Sequence, residues 1–316
     1  MGDFRTELFP ASAPFNITYQ SVITAIGSCF TQHIGAWMEN VKFNCKTNPF
    51  GILFHPIAIA NCIERIVHQK EYTEEEVQFN NELYCSFDHH SSFNHPDKAT
   101  FLHNVNSRLI EFKNHLEQSD SIIITLGTAW AYRHLNSGKI VANCHKINAN
   151  QFTKELLSME QVVDALQSTY ALLNKSNVRF VFTVSPVRHL KDGFVENQLS
   201  KSILITAIHE FMKDKQNCYY FPAYEIMMDD LRDYRFYSED MLHPNAQAIN
   251  YIKEKFATTF IPEKDRNLIE QVEKVRRDMA HRPFHQNSIA YEKFQDNLKK
   301  SINILEENNI YFSHEI

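Results

Sequence analysis

Two short runs constrain this chain most. Ser121-Ile-Ile-Ile-Thr125 and Arg179-Phe-Val-Phe-Thr-Val-Ser185 are largely apolar, and Pro186 stops the second. They are too short for buried helices and lack the strict alternation of a sheet with one wet face. Such runs suit strands covered on both sides, as in a parallel sheet between helical layers.

Helical spacing fills the intervals between them. Phe30, Ile34, Trp37 and Met38 mark a helix over 29–40, and Pro56 opens another that reaches about Val67. Leu102, Val105, Leu109, Ile110 and Phe112 mark a third, ending near Gln118. Similar patterns occupy 159–174, 196–213 and 245–260, with shorter strands expected at 21–27, 42–46 and 217–221. Strands alternating with helices predict an α/β fold built on a parallel sheet. Residues 70–100 read as a polar insertion. From Pro262 the chain carries two amphipathic helix patterns, with apolar spacing at Leu268, Val272 and Val275, and no strand signal. The expected division is a catalytic domain over 1–261 and a helical extension over 262–316.

Composition narrows the class of partner. A net charge of -6 gives no overall attraction for phosphate backbones, so no nucleic acid is expected. No stretch reaches the ~18 apolar residues of a membrane span, and the first residues lack the basic start and apolar run of a secretory signal. The six cysteines are scattered without a CxxC pair, which reads as reduced thiols in a cytoplasmic protein. The oligomeric state is not legible.

In open α/β sheets, reactive groups gather outside the carboxyl ends of the strands. Four segments qualify: Gly27-Ser28-Cys29-Phe30, Asn48-Pro49-Phe50-Gly51, Leu126-Gly127-Thr128 and Asp240-Met241-Leu242-His243. Ser28 falls in a strand-to-helix turn, where it reads as a helix cap or as a nucleophile. It is not in a GxSxG elbow, because Phe30 occupies the second glycine position. The Asp240-x-x-His243 spacing lets a carboxylate orient an imidazole within one turn of backbone, the base and third member of a serine triad. The same spacing also suits a plain helix start. The backbone N–H groups of Ser28 and Gly51, with the Thr128 hydroxyl or amide, are candidate oxyanion donors.

Other constellations compete. Cys29, in a first helical turn, would have a lowered pKa if it were a nucleophile, yet free cysteines are usually buried. His89, His90, His95 and His103 cluster without a recognised ligand spacing, so no metal is expected. Phe87 and Phe93 suggest instead that the insertion covers the pocket. Arg188 and His189 follow the second buried strand. Arg188 reads as a substrate contact or a loop salt bridge, and His189 is a rival base with Asp192 nearby. There is no dinucleotide or phosphate-loop motif, and serine chemistry needs no cofactor.

The order of these segments resembles the GSCFA family, within the SGNH (GDSL-like) hydrolase superfamily. The resemblance rests on Gly27-Ser28-Cys29-Phe30, Asn48-Pro-Phe-Gly51, Thr125-Leu-Gly-Thr128, Asn143-Cys-His145-Lys146, Thr183-Val-Ser-Pro-Val-Arg-His189, Asp233-Tyr-Arg-Phe-Tyr237 and Asp240-Met-Leu-His-Pro244. Thr31 stands where the family name has alanine. The resemblance covers roughly 4–260. It implies a three-layer flavodoxin-like sandwich with Ser28 as nucleophile, His243 as base and Asp240 as acid. The superfamily's second-block glycine corresponds to Gly51, and its oxyanion asparagine to Thr128. A threonine offers a hydroxyl in place of an amide N–H, and losing one good donor costs ~10²–10³ in turnover. Asn48 is the expected substitute. The activity implied is ester hydrolysis or acyl transfer on a small or carbohydrate-borne ester. The alternative is a non-catalytic carbohydrate- or ligand-binding protein on the same fold.

Overall fold

A computed structural model describes residues 5–281 and 289–312; the domain ends expected at residues 1 and 316 lie outside them. Five parallel strands form the central sheet: β1 (Val22–Gly27), β2 (Asn44–Thr47), β5 (Ser121–Leu126), β9 (Arg179–Val184) and β10 (Cys218–Phe221). Their spatial order is β10-β9-β5-β1-β2. Numbered along the chain, these strands run 2-1-3-4-5, the flavodoxin-like winding, and the order reverses between β1 and β5.

The apolar runs are continuous because both faces of the sheet are covered. Ile122, Ile124, Phe180 and Phe182 point to one side. That side carries α2 (Pro56–Val67), α3 (Lys98–Gln118), α4 (Met159–Leu173) and α5 (Phe194–Met212). Ile123 and Val181, one residue out of phase, point to the other side, as the two-residue strand period requires. There they meet α1 (Cys29–Asn40) and α7 (Ala246–Phe260). The tail helices α8 (Glu263–Ala280) and α9 (Ile289–Glu306) join this second core. Leu268, Val272, Val275, Ile302 and Leu305 are buried with Ile23, Phe30 and Ile34.

Helix ends follow local chemistry. His55 caps α2 by accepting the Ala58 N–H, with Pro56 in the first turn. Asp97 caps α3, Asn245 caps α7, and Ser158 closes a capping box with Gln161 on α4.

Two small sheets depart from the sequence expectation. The insertion contains the hairpin β3 (Gln78–Asn80) and β4 (Leu83–Cys85). An antiparallel trio follows β5: β6 (Trp130–His134), β7 (Ile140–Val141) and β8 (Phe152–Leu156). Their polar, partly exposed residues give no apolar run to read. After β10 come a short helix α6 (Ala223–Glu225) and a wide turn over Ile226–Asp230. Among the described residues no helix is long and apolar enough to cross a membrane.

Candidate active site

The site grows from the strand ends at the winding reversal. Gly27 closes β1 at φ +144°, and a Cβ there would lie 2.1 Å from the Thr125 carbonyl oxygen of β5. Only glycine fits, and the chain turns directly from β1 into α1 with Ser28 at the junction. Ser28 stands at the N-cap of α1, but its side chain makes no capping bond. The plain capping role is therefore unfilled.

Ser28 is 0% exposed, and its Oγ has no hydrogen-bond partner among the described residues. The segment after β2 encloses it as a strap. Asn48 N–H donates to the Ala25 carbonyl at 2.9 Å, and Leu53 N–H to the Gly27 carbonyl at 3.0 Å. Gly127 and Thr128 N–H groups both donate to the Phe54 carbonyl, at 2.7 and 3.0 Å. A Cβ built on Gly127 would sit 3.3 Å from Ser28 Cβ and 3.3 Å from the Phe54 ring. Strap, Gly127 and Ser28 are thus in contact.

The insertion holds the strap from outside. His90 N–H donates to the Phe50 carbonyl at 2.8 Å. Gly51, at φ +78°, is pressed so closely that a Cβ would meet His90 Cβ at 2.4 Å. His89 is wholly buried among Phe50, Tyr72, Phe93 and Phe101, with no partner on either ring nitrogen. Burial pushes its pKa down to about 3, which keeps it neutral. The insertion therefore covers the strap and reaches Ser28 only through it. Among the described residues no three His, Cys, Asp or Glu side chains are grouped to hold a metal ion.

Asp240 and His243 pair on the loop before α7. His243 Nδ1 lies 2.6 Å from Asp240 Oδ2, while Asp240 Oδ1 accepts the Leu242 and His243 backbone N–H groups at 2.9 and 3.0 Å. Those two backbone bonds, then the imidazole, hold the Asp240 carboxyl down at about 2. Arg188 N–H donates to the Leu242 carbonyl at 3.2 Å, which seats this loop against the end of β9. His243 is close enough to lower the pKa of His189 and of His33 on α1, in each case after the larger effect of burial.

Residues 22–256 match the model of the GSCFA family, and residues 272–316 match that of the GSCFA domain protein C-terminal domain. The chain belongs to the GSCFA family. No curated protein matches it. The first match contains every candidate residue of this GSCFA site, from Ser28 to His243.

The expected oxyanion donors are otherwise engaged in this GSCFA chain. Ser28 N–H donates to the Thr125 carbonyl at 3.2 Å, and Gly51 N–H to the Asn48 carbonyl at 3.0 Å. Thr128 Oγ1 lies 3.1 Å from Ser200 Oγ and accepts the Trp130 N–H at 3.0 Å. Each follows from geometry the sequence does not state: continued β1–β5 pairing, a tight 48–51 turn, and a helix from 70 residues downstream. Asn48 differs. Its Oδ1 accepts the Gly27 N–H at 2.8 Å, while its Nδ2 reaches only Gln32 Oε1, at 3.5 Å. That amide is anchored beside Ser28 with a donor in reserve.

The rivals fare less well. Burial raises the Cys29 thiol pKa, against the lowering expected of a first helical turn. His189 has a buried Nε2 without a partner, burial pushes its pKa down to about 3, and Asp192 pairs with Lys154 instead. Among the described residues Arg188 makes no salt bridge. Its guanidinium lies over Tyr237 at 4.7 Å, Tyr234 at 5.5 Å and Phe194 at 5.9 Å, with one long bond of 3.4 Å to the Met241 carbonyl. Nearby carboxylates pair elsewhere: Asp229 with Arg232, Asp233 with Arg235, Asp240 with His243.

One group escaped the sequence reading. Lys201 on α5 is 0% exposed, and its Nζ donates to the Gly127 carbonyl at 2.7 Å and the Ser185 carbonyl at 2.8 Å. Asn197 and Ser200 share the buried face: Asn197 accepts the His189 N–H, and Ser200 the Ala129 N–H. The signal was present in spacing. Asn197, Lys201, Leu204, Ile208 and Phe211 make one helical stripe whose first members are polar. A groove of about 590 Å³, lined by Arg65, Glu76, Asp88, Phe87 and others, opens by the insertion and contains none of these residues.

Proposed function

We propose that this GSCFA protein is a serine esterase or acyltransferase of the SGNH (GDSL-like) type, acting through Ser28, His243 and Asp240. The single observation that carries the reading is the 2.6 Å Asp240–His243 bond, which fixes one imidazole nitrogen and leaves the other as base. The unpartnered Ser28 Oγ at the strand-end reversal adds to it. Ser28 Oγ attacks the acyl carbon while His243 Nε2 takes its proton. The carbonyl π pair moves onto oxygen, and the resulting oxyanion is held by Asn48 Nδ2. The Ser28, Gly51 and Thr128 N–H groups contribute once they give up the Thr125, Asn48 and Phe54 carbonyls. Collapse expels the alcohol, which leaves with the proton from His243. Water or a second alcohol then takes the acyl group by the same steps in reverse.

Arg188, walled by aromatic rings beside His243, suits a substrate with an anionic or sugar oxygen next to an apolar group. His189, neutral and half-buried against Phe54, suits a lining role. The six cysteines, all free, support a cytoplasmic setting. No cofactor enters the scheme.

The closed strap and engaged donors favour one rival: a ligand-binding protein that keeps the fold without the chemistry. A fluorophosphonate separates the two. Ser28 Oγ forms a bond to phosphorus, the P–F bond breaks, and fluoride leaves. Labelling of Ser28 that vanishes in Ser28→Ala supports the esterase. A folded wild type that never labels, yet binds an ester or sugar, supports the rival.

A further inference from the structure

Lys201 is a buried cation whose hydrogen bonds go to main-chain carbonyls. A lysine taken out of water without a carboxylate is costly, and two carbonyls could be satisfied more simply by neutral donors. The position explains the choice. Gly127 follows β5 and Ser185 follows β9, so one ammonium ties together the ends of two neighbouring strands. Gly127 is also the residue in contact with Ser28 and with the strap. The ammonium has three donors, of which these carbonyls take two, and the Tyr224 ring lies 5.4 Å away. Its charge is felt by Cys29, the residue after Ser28.

We propose that Lys201 is a positioning residue of the Ser28 site: it fixes the Gly127 backbone against the serine and places a positive charge beneath the point where the oxyanion develops. The inference rests on the serine-hydrolase reading above. It accounts for a site whose expected neutral donors are engaged, since a fixed charge in a dry environment stabilises a developing anion without reorganising.

The groups facing Lys201 come from three other elements. They are Cys29 on α1, His189 after β9 and Tyr224 on α6. Burial raises the Cys29 thiol, holds His189 at about 3 and lifts Tyr224 to about 12, so all three are neutral near pH 7. Burial, opposed by Cys29, brings Lys201 itself down to about 7. Rising pH therefore removes the one charge of this group.

The test is the rate of fluorophosphonate labelling of Ser28 against pH, on the full chain. The wild type should give a bell, ascending as expected of a general base and falling as pH rises past about 7–8. Lys201→Arg keeps its charge and should lose the descending limb. Lys201→Met should label at least tenfold more slowly at pH 6.5, with no descending limb. A Lys201→Met protein that keeps the wild-type rate and bell overturns the inference. If that variant does not fold, Lys201→Gln decides in its place: a folded Lys201→Gln protein that keeps the wild-type rate and profile overturns the inference equally. In both cases labelling persists, so the serine reading stands. A folded wild type that labels at no pH overturns both.

Discussion

The two halves of the proposed catalytic machinery are built in opposite ways. Ser28 is fully enclosed, with a free hydroxyl, under a strap that itself lies beneath an insertion. Asp240 and His243 have about 45% and 44% of their side-chain surface exposed and are tightly bonded to each other. Four consecutive residues, from Asp240 to His243, are enough to make this pair. Enclosing the serine takes β1, β5, the strap, the insertion and α5. Local chemistry is thus displayed at the surface, while long-range packing controls access to the nucleophile.

The comparison breaks first at the exposed half. Asp240→Asn should lower Ser28 reactivity on the order of 10³–10⁴-fold, because the neutral amide no longer enforces the imidazole tautomer; a labelling time course on the folded variant reads it. The sign with pH is fixed. The Asp240 carboxyl is held below its ordinary value, so its bonded, ionised form is complete above about pH 4 and is lost only as pH falls through about 2. The Leu242 N–H that Asp240 accepts should therefore stay protected from hydrogen exchange at pH 4, relative to Asp240→Asn.

A smaller effect sharpens the enclosed half. Asn48→Ala removes the acceptor for Gly27 N–H and the reserve Nδ2 donor. The expected loss is about 10²-fold in labelling or ester turnover. A loss confined to thermal stability would show that Asn48 only holds the turn. The smallest effect runs upward. Phe54→Ala keeps the carbonyl that binds Gly127 and Thr128 but removes the ring lying on Gly127. Labelling should accelerate by roughly twofold to fivefold as the serine becomes accessible. An unchanged rate would mean that the ring does not limit entry.

Legibility in the sequence follows the same division. The 29–40 and 56–67 helices carry their own spacing, the second with Pro56 at its start, and the structure begins and ends them at Cys29, Asn40, Pro56 and Val67. Ile122–Ile124 and Phe180–Val184 were legible because burial on both faces leaves an unbroken apolar run. The β6–β8 trio was not: Trp130-Ala-Tyr-Arg-His134 has one buried residue in five, and its partners come from a polar stretch. At the site, residue types were readable but their hydrogen-bond states were not. The bonds that occupy Ser28 and Thr128 come from Thr125 and Ser200, and no local pattern announces them. Lys201 looked like any helical lysine because its partners are carbonyls, which every residue has.

The second core has a consequence for how the chain must be made. Ile17, Ile23 and Phe30 are synthesised well before much of what covers them, which is contributed by residues from Ile249 to Phe312. Ile17 N–H donates to the Phe260 carbonyl, and Tyr19 N–H to Asp265. On the ribosome, the α2–α5 side can pack as it appears, whereas the α1 side waits for α7, α8 and α9 with its greasy surface bare. Translation speed and holding chaperones then act on one face of the sheet and leave the other largely untouched.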